Sequence, residues 1–395
     1  MTLAYVSNNL PDIFMGMAPT GYSFQWEYIE EGKVQELNEL IKKYGPNIMK
    51  MFNEVPSSEY LCTGYDGKIY FLPMVWTGEE TQRFAGQLYI NQTWLDALGL
   101  TMPKTTAEFK RVLQMFKNND PNGNGLNDEI PLTLGEDLPN GLYGAFGLPV
   151  YYNLLYVDDS DKVHFAPVEN NYRRCLTYYA GLYQEGLIDK DFYSQNNQDI
   201  ATKVNSAVAT VGAFVVDGST SLADVERAAE YSVVPPLSDD EGNCTWTNQV
   251  RESCYPEWFV VTSACEYPEI AVRMADYFYS VEGSYVALYG PPGEDNLWYV
   301  NDDGKVVFTD RDNMNTRKFD YTPGYPLPAF RGSEFIAAQA EISESEMSEK
   351  EKLIKQNKEL TIEYYTPVIP DKVLYNTNIA LDDLRDYNMI SSDMG

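Results

Sequence analysis

The spacing of apolar residues switches repeatedly between a strand period and a helix period. Leu10 to Gly16 is a short apolar run closed by glycine, which predicts a buried strand. Gly32 precedes a helix over 33–44 that places Val34, Leu37, Leu40, Ile41 and Tyr44 on one face. Asp66-Gly67 signals a hairpin leading into a strand over 68–73, and a second strand covers 87–91. Trp94 to Leu100 reads as a short helix closed by Gly99, with Trp94 on its core side. Thr105 and Glu108 have capping-box spacing and open a helix to Lys117, with Phe109, Val112, Leu113 and Phe116 facing inward. Downstream the pattern gives a hairpin over 158–165, a helix over 171–184, a buried strand over 207–216 and a helix over 222–230. A strand over 231–234 stops at Pro235-Pro236, and another covers 258–262. A helix opening at Pro268, a hairpin over 297–308 and a charged helix over 343–359 follow. Strands alternating with helices in this way predict an α/β protein.

One polar interval stands out between the helix ending at Lys117 and the extended segment Ile130 to Leu134. Asn119 to Pro131 carries oxygen donors at every second position: Asp120, Asn122 and Asn124, then Asp128 and Glu129. Gly125 takes the sixth place from Asp120, where a tight metal loop needs a backbone that turns sharply. With the carbonyl of Leu126, this set suits a hard cation such as Ca2+. The spacing matches the first half of an EF-hand loop, but position twelve is Pro131 and an extended segment follows instead of a helix. That context predicts a fixed structural clip, filled at the ~10⁻⁴–10⁻³ M affinity of extracellular modules. A polar turn without metal is the alternative.

At 395 residues the chain is long enough for two or three domains. Its formal charge of −30 excludes nucleic acid and anionic membrane surfaces as direct partners, because phosphate contacts need clustered Lys and Arg. No run of 18 apolar residues is present. The five cysteines form no zinc spacing, and Cys244 and Cys254, though near enough in sequence to bridge, are expected as thiols. A single histidine, His164, makes a Ser-His-Asp triad improbable. Glu79 and Glu80, being adjacent, point apart and make no catalytic pair.

Six blocks in order resemble the extracellular solute-binding proteins of ABC importers, in their large oligosaccharide- and alginate-binding lipoprotein branch. They are Leu10-Pro-Asp-Ile-Phe14; Gly67 to Pro73 continuing through Leu88–Asn91, Trp94–Leu100 and Pro103–Phe109; Asp120 to Pro131; Tyr183 to Asp189; Ala207 to Gly212; and Trp258–Ser263 with Tyr267–Glu269. The resemblance implies a class II, two-lobed periplasmic-binding-protein-like fold. Lobe 1 would take 1–86 and 257–315, and lobe 2 would take 87–256 and 316–395. It also implies that one strand and one helix of the N-terminal lobe, an export signal and an anchoring cysteine precede the segment in hand, which is then a truncated form.

The implied function is capture of an oligosaccharide between the lobes and delivery to ABC transporter permease subunits, without catalysis. The protein would be a monomeric cell-surface lipoprotein, reaching the membrane only through its lipid anchor, with structural Ca2+. Sugar recognition calls for stacking aromatics with polar partners. Trp76 is the first candidate platform, placed after the strand ending at Pro73, with Gln82 and Arg83 beside it. Trp298 and Tyr255 come next, then Asp217 and Tyr152 (or Tyr151). A calcium-dependent polysaccharide-degrading enzyme is the rival class, since two carboxylates need no motif. A binding protein serving a sensor is a third.

Overall fold

The computed structural model describes residues 2–16, 28–64, 66–77, 83–84, 86–135, 140–150, 154–158, 160, 162–216, 223–246, 248–249, 253–312 and 327–369. The α/β character is confirmed, and the chain forms two compact units, each built from separated segments.

The first unit takes Met1–Gln82 and Val250–Ile342. Its four-stranded sheet runs in the order Ile13–Met15, Ser253–Val261, Phe71–Trp76, Phe330–Arg331. The first two pairings are antiparallel and the last is parallel, with Val75 opposite both Cys254 and Phe330. Leu72 and Val75 meet Phe259 and Val261 in a core completed by Ile41, Ile48, Met51, Phe52 and Val272 from the surrounding helices. Asp276 ties two of those helices together. Its carboxylate accepts the backbone N–H groups of Asn47 and Ile48, at the positive end of the helix Pro46–Glu54.

The sequence expectations shift here for physical reasons. The helix expected over 33–44 begins only at Asn38, because Val34 makes a β-bridge to Thr262 instead. The strand Ile13–Met15 lies at a sheet edge, so it is half-exposed rather than buried. Phe71–Trp76 runs past Pro73, so Trp76 ends the strand and does not follow it. Residues 316–342 were expected with the second lobe. Phe330–Arg331 instead completes the first unit's sheet, and Phe335 packs with Trp298 and Tyr285 in that unit.

The second unit takes Arg83–Gln249 and Ser343–Leu374. Its sheet has Gln87–Asn91 between Ala213–Val216 and Tyr231–Val233, both antiparallel to it. One core cluster holds Trp94, Phe109, Leu113 and Phe116 against Tyr179 and Leu182. Another packs Tyr89, Phe214 and Tyr231 against Trp246 and Tyr365. Helix Thr106–Asn118 is capped by the Thr105 hydroxyl, which accepts the N–H of Glu108, as the spacing requires. The charged C-terminal helix starts later than expected, at Glu349, because Ser348 and Glu351 form the capping box.

The hairpin Leu155–Val157 with Val163–Phe165 holds the lone histidine between two carboxylates. His164 Nε2 lies 2.9 Å from Asp158 and Nδ1 lies 2.8 Å from Glu169, while the ring stacks on Tyr156. Hydrogen bonding to Asp158, then to Glu169, raises the imidazole above its ordinary value. A raised histidine contributes stability that is fully present below its unfolded pKa of about 6.5 and lost as pH rises through the folded value. Because the chain has one histidine, its imidazole proton signal is unambiguous in NMR. That signal should titrate above about 6.5, and Asp158→Asn should bring it down. A titration at or below the ordinary value would show that the two contacts are absent in solution.

Candidate functional site

The oxygen-rich loop leaves helix Thr106–Asn118 and folds back on itself through two left-handed glycines, Gly123 and Gly125. The Asp120 carboxylate accepts the N–H groups of Asn124 (3.0 Å) and Gly125 (2.8 Å). Asn122 and Asn124 cap the following turns by accepting from Asn124 N and Leu126 N. Both side-chain amides also reach Asp128, at 3.2 Å from Asn122 and 3.0–3.1 Å from Asn124. Four of the expected donors therefore share one small volume. Asn122 further anchors the loop by donating to Ala209 O, and Ile130 bridges to Val211.

Glu129 differs from its neighbours. Both of its carboxylate oxygens are shielded from solvent, and only the backbone N–H groups of Asp128 and of Glu129 itself come near them, short of full hydrogen-bond geometry. Burial raises its pKa, opposed by the backbone N–H groups of Glu129 and Asp128 and reinforced by repulsion from Asp128 and Asp120. A carboxylate shielded from solvent beside two more acids is costly to ionise unless a cation compensates it. Among the described residues no three His, Cys, Asp or Glu side chains converge at metal-holding distance. The loop's set instead mixes two amides with its acids, which suits an oxygen-seeking cation and not a thiolate- or imidazole-seeking one.

A second polar locus lies in the first unit, at the end of its sheet. Trp76 is half-buried, whereas the five strand residues before it are buried. Its register partners are Ser253 on one side and Arg331 on the other. The Arg331 guanidinium lies over the indole at 5.0 Å from its centroid and 5.4 Å from that of Phe335. Thr77 fixes this corner by donating N–H and hydroxyl to Arg331 O. Sequence reading missed Arg331 because a two-residue strand carries no periodicity.

Other expected ligand residues fare unevenly. Trp298 is 1% exposed, packed against Tyr285, and gives its indole N–H to Gly290 O at 2.9 Å. It is a core side chain with no face for a sugar, which corrects the expectation. The backbone of Arg83 pairs with Gln249, and that of Tyr255 pairs with Met74. Gln82, Tyr151, Tyr152, Asp217, Glu79 and Glu80 lie outside the described residues. Trp94 is buried, as expected of a core residue. The five cysteines, all within the described residues, form no disulfide.

Residues 1–285 match the family described as bacterial extracellular solute-binding protein. The fructooligosaccharide ABC transporter substrate-binding protein FusA of Streptococcus pneumoniae is 30% identical over 297 residues, covering 73% of this chain and 54% of FusA. The polygalacturonan/rhamnogalacturonan-binding protein YtcQ of Bacillus subtilis is 28% identical over 195 residues, covering 49% of this chain and 36% of YtcQ. The chain thus spans about half the length of the first of these relatives and about a third of the second. Among solved structures, an EF-hand mutant of S. pneumoniae FusA in complex with fructo-nystose superposes with a TM-score of 0.82 at 24% identity, covering 100% of this chain and 80% of that one.

Proposed function

The chain belongs to the bacterial extracellular solute-binding proteins, and we propose that it captures an oligosaccharide and hands it to an ABC importer without chemical turnover. FusA carries this proposal: a relative whose name specifies a fructooligosaccharide matches nearly three quarters of the chain. The half-buried locus at Trp76, with Arg331 against its ring, supports it, since sugar sites combine aromatic rings with polar side chains. In this proposal the protein works as a monomer outside the membrane, held there as a lipoprotein, and its partners are the importer's permease subunits.

Calcium belongs to the same proposal, in a structural role. Asp120, Asn122, Asn124, Asp128 and Glu129, with the Leu126 carbonyl, would hold the ion. Bound there, it supplies positive charge to three acids on one loop. The residues around it fix the exit segment onto the second unit through Asn122 and Ile130. The solvent-shielded Glu129 carboxylate, with no side-chain partner, is the observation in favour.

Calorimetric titration with fructan, galacturonan and host-type oligosaccharides tests the sugar assignment, with the mixtures analysed afterwards for cleavage. Saturable binding with intact sugar is expected. Shortened products would establish the polysaccharide-degrading alternative, and no heat from any sugar would remove the assignment.

A further inference from the structure

We propose that Asn124 is a modification site, losing its side-chain amide to attack by the Gly125 backbone nitrogen, with the Asp120 carboxylate as the guard that sets the rate. This chemistry belongs to the metal-free chain and needs neither sugar nor calcium, so it stands or falls apart from both readings above.

Asparagine before glycine meets the least resistance to this reaction, because glycine has no Cβ to hinder the approach of its nitrogen. Three such pairs occur in the chain, at Asn122-Gly123, Asn124-Gly125 and Asn140-Gly141. The first two lie in the oxygen-rich loop, where both glycines are exposed and a Cβ at either would meet nothing within 4 Å. Water is the only co-reactant. The Gly125 nitrogen gives its proton to solvent base and bonds to Asn124 Cγ. The Cγ–Nδ2 bond then breaks, the departing nitrogen takes up a proton and leaves as ammonia, and a cyclic imide remains. Water opens the imide at either carbonyl, giving aspartate or isoaspartate, so one water enters for each ammonia lost.

The folded loop opposes the first step at the nucleophile. In the imide the new bond takes the place of the amide hydrogen, so an N–H aimed at another acceptor cannot turn its nitrogen on Cγ. The Gly125 N–H is aimed at Asp120 Oδ2, at 2.8 Å. The Gly123 N–H is held instead by the Asp120 backbone carbonyl, at 3.2 Å. One residue thus covers both nitrogens, Gly125 by its side chain and Gly123 by its main chain. The electrophile, by contrast, is prepared. Asn124 Oδ1 accepts the Leu126 N–H at 2.7 Å, which polarises the side-chain carbonyl toward attack. Asn124 Nδ2 donates to both Asp128 oxygens, at 3.1 and 3.0 Å. Conversion therefore sets a carboxylate where Asp128 now has a donor, and leaves the loop with one more acid to neutralise.

The test ages the whole chain in EDTA and follows its tryptic peptide between Lys117 and Lys162, which carries all three Asn-Gly pairs. Fragmentation in the mass spectrometer assigns each amide-to-acid mass gain to Asn122, Asn124 or Asn140. Protein unfolded in urea supplies the unguarded rates, and Tm is recorded for every variant. Folded wild type should convert at Asn124 about ten- to hundredfold more slowly than unfolded protein. Asp120→Ala removes the side-chain acceptor and keeps the main-chain one. Asn124 should then convert about tenfold faster than in wild type, with Asn122 within about twofold of its wild-type rate. Asp120→Asn restores a neutral acceptor and should fall between. Wild type converting at Asn124 as fast folded as unfolded, or an unchanged Asn124 rate in Asp120→Ala, overturns the proposal. Equal acceleration at Asn122 and Asn124 also overturns it, since the whole loop would then have opened. Should Asp120→Ala fail to fold, Asp120→Asn takes its place, and an Asn124 rate equal to wild type overturns the proposal there too.

Discussion

Removing calcium is expected to lower the Tm of this protein, and Glu129→Gln to abolish most of that response. A ligand that binds only the folded state stabilises it by RT ln(1 + [L]/Kd). At 10 mM calcium and an affinity of ~10⁻⁴–10⁻³ M, this is about 1.4–2.7 kcal/mol, or roughly 3–10 °C for a unit of this size. The Glu129 carboxylate is the group that decides the outcome, because its oxygens are shielded from solvent with no side-chain partner while Asp120 and Asp128 are hydrogen-bonded. In the metal-free protein its raised pKa means that the folded state takes up a proton at higher pH than the unfolded state. Through this group the metal-free fold therefore gains stability as pH falls and loses it as pH rises. Calcium held by Glu129 would reverse the sign, since such an ion would require the carboxylate ionised and its binding would release the proton. The calcium-dependent Tm gain should thus shrink as pH falls through Glu129's raised value. Glu129→Gln should be neutral or stabilising in EDTA and nearly silent to calcium. An unchanged Tm between EDTA and 10 mM calcium would remove the metal from the second unit.

What could be read from the sequence was what depends on near neighbours. The helix Thr106–Asn118 announced itself through its cap and its inward face of Phe109, Val112, Leu113 and Phe116. The oxygen-rich loop was legible for the same reason, because its polar side chains lie within ten residues and turn chemistry alone gathers them. The burial of Glu129 was not, since it depends on what packs over the loop. The helices Pro46–Glu54 and Pro56–Cys62 each open on proline and follow one another across Val55 alone, so no turn cluster separates them. Arg331 was invisible because its meaning comes from parallel pairing with a strand in a distant part of the chain. The same long-range packing decided the two tryptophans. Both sit in short apolar stretches, yet the sheet end left Trp76 half-buried and the Tyr285–Phe335 stack enclosed Trp298.

That enclosure predicts opposite phenotypes for the two. Trp298→Ala should destabilise the protein by about 3–5 kcal/mol, the cost of emptying a fully packed aromatic site. Part of that loss is polar. The indole N–H ties the hairpin strand Trp298–Val300 to Gly290 O, at the end of helix Val281–Tyr289, and nothing in alanine replaces it. Trp298→Phe should isolate this part, keeping most of the ring while leaving the Gly290 carbonyl without its donor, at about 1–3 kcal/mol. Sugar affinity separates core from site. Trp298 touches Tyr285, and Tyr285 stacks on Phe335, so a hole at Trp298 acts on its surroundings by loosening that stack. The phenylalanine variant keeps the stack supported and should bind sugar as wild type does, despite its lower Tm. Lost affinity at unchanged Tm in that variant would return Trp298 to the ligand site.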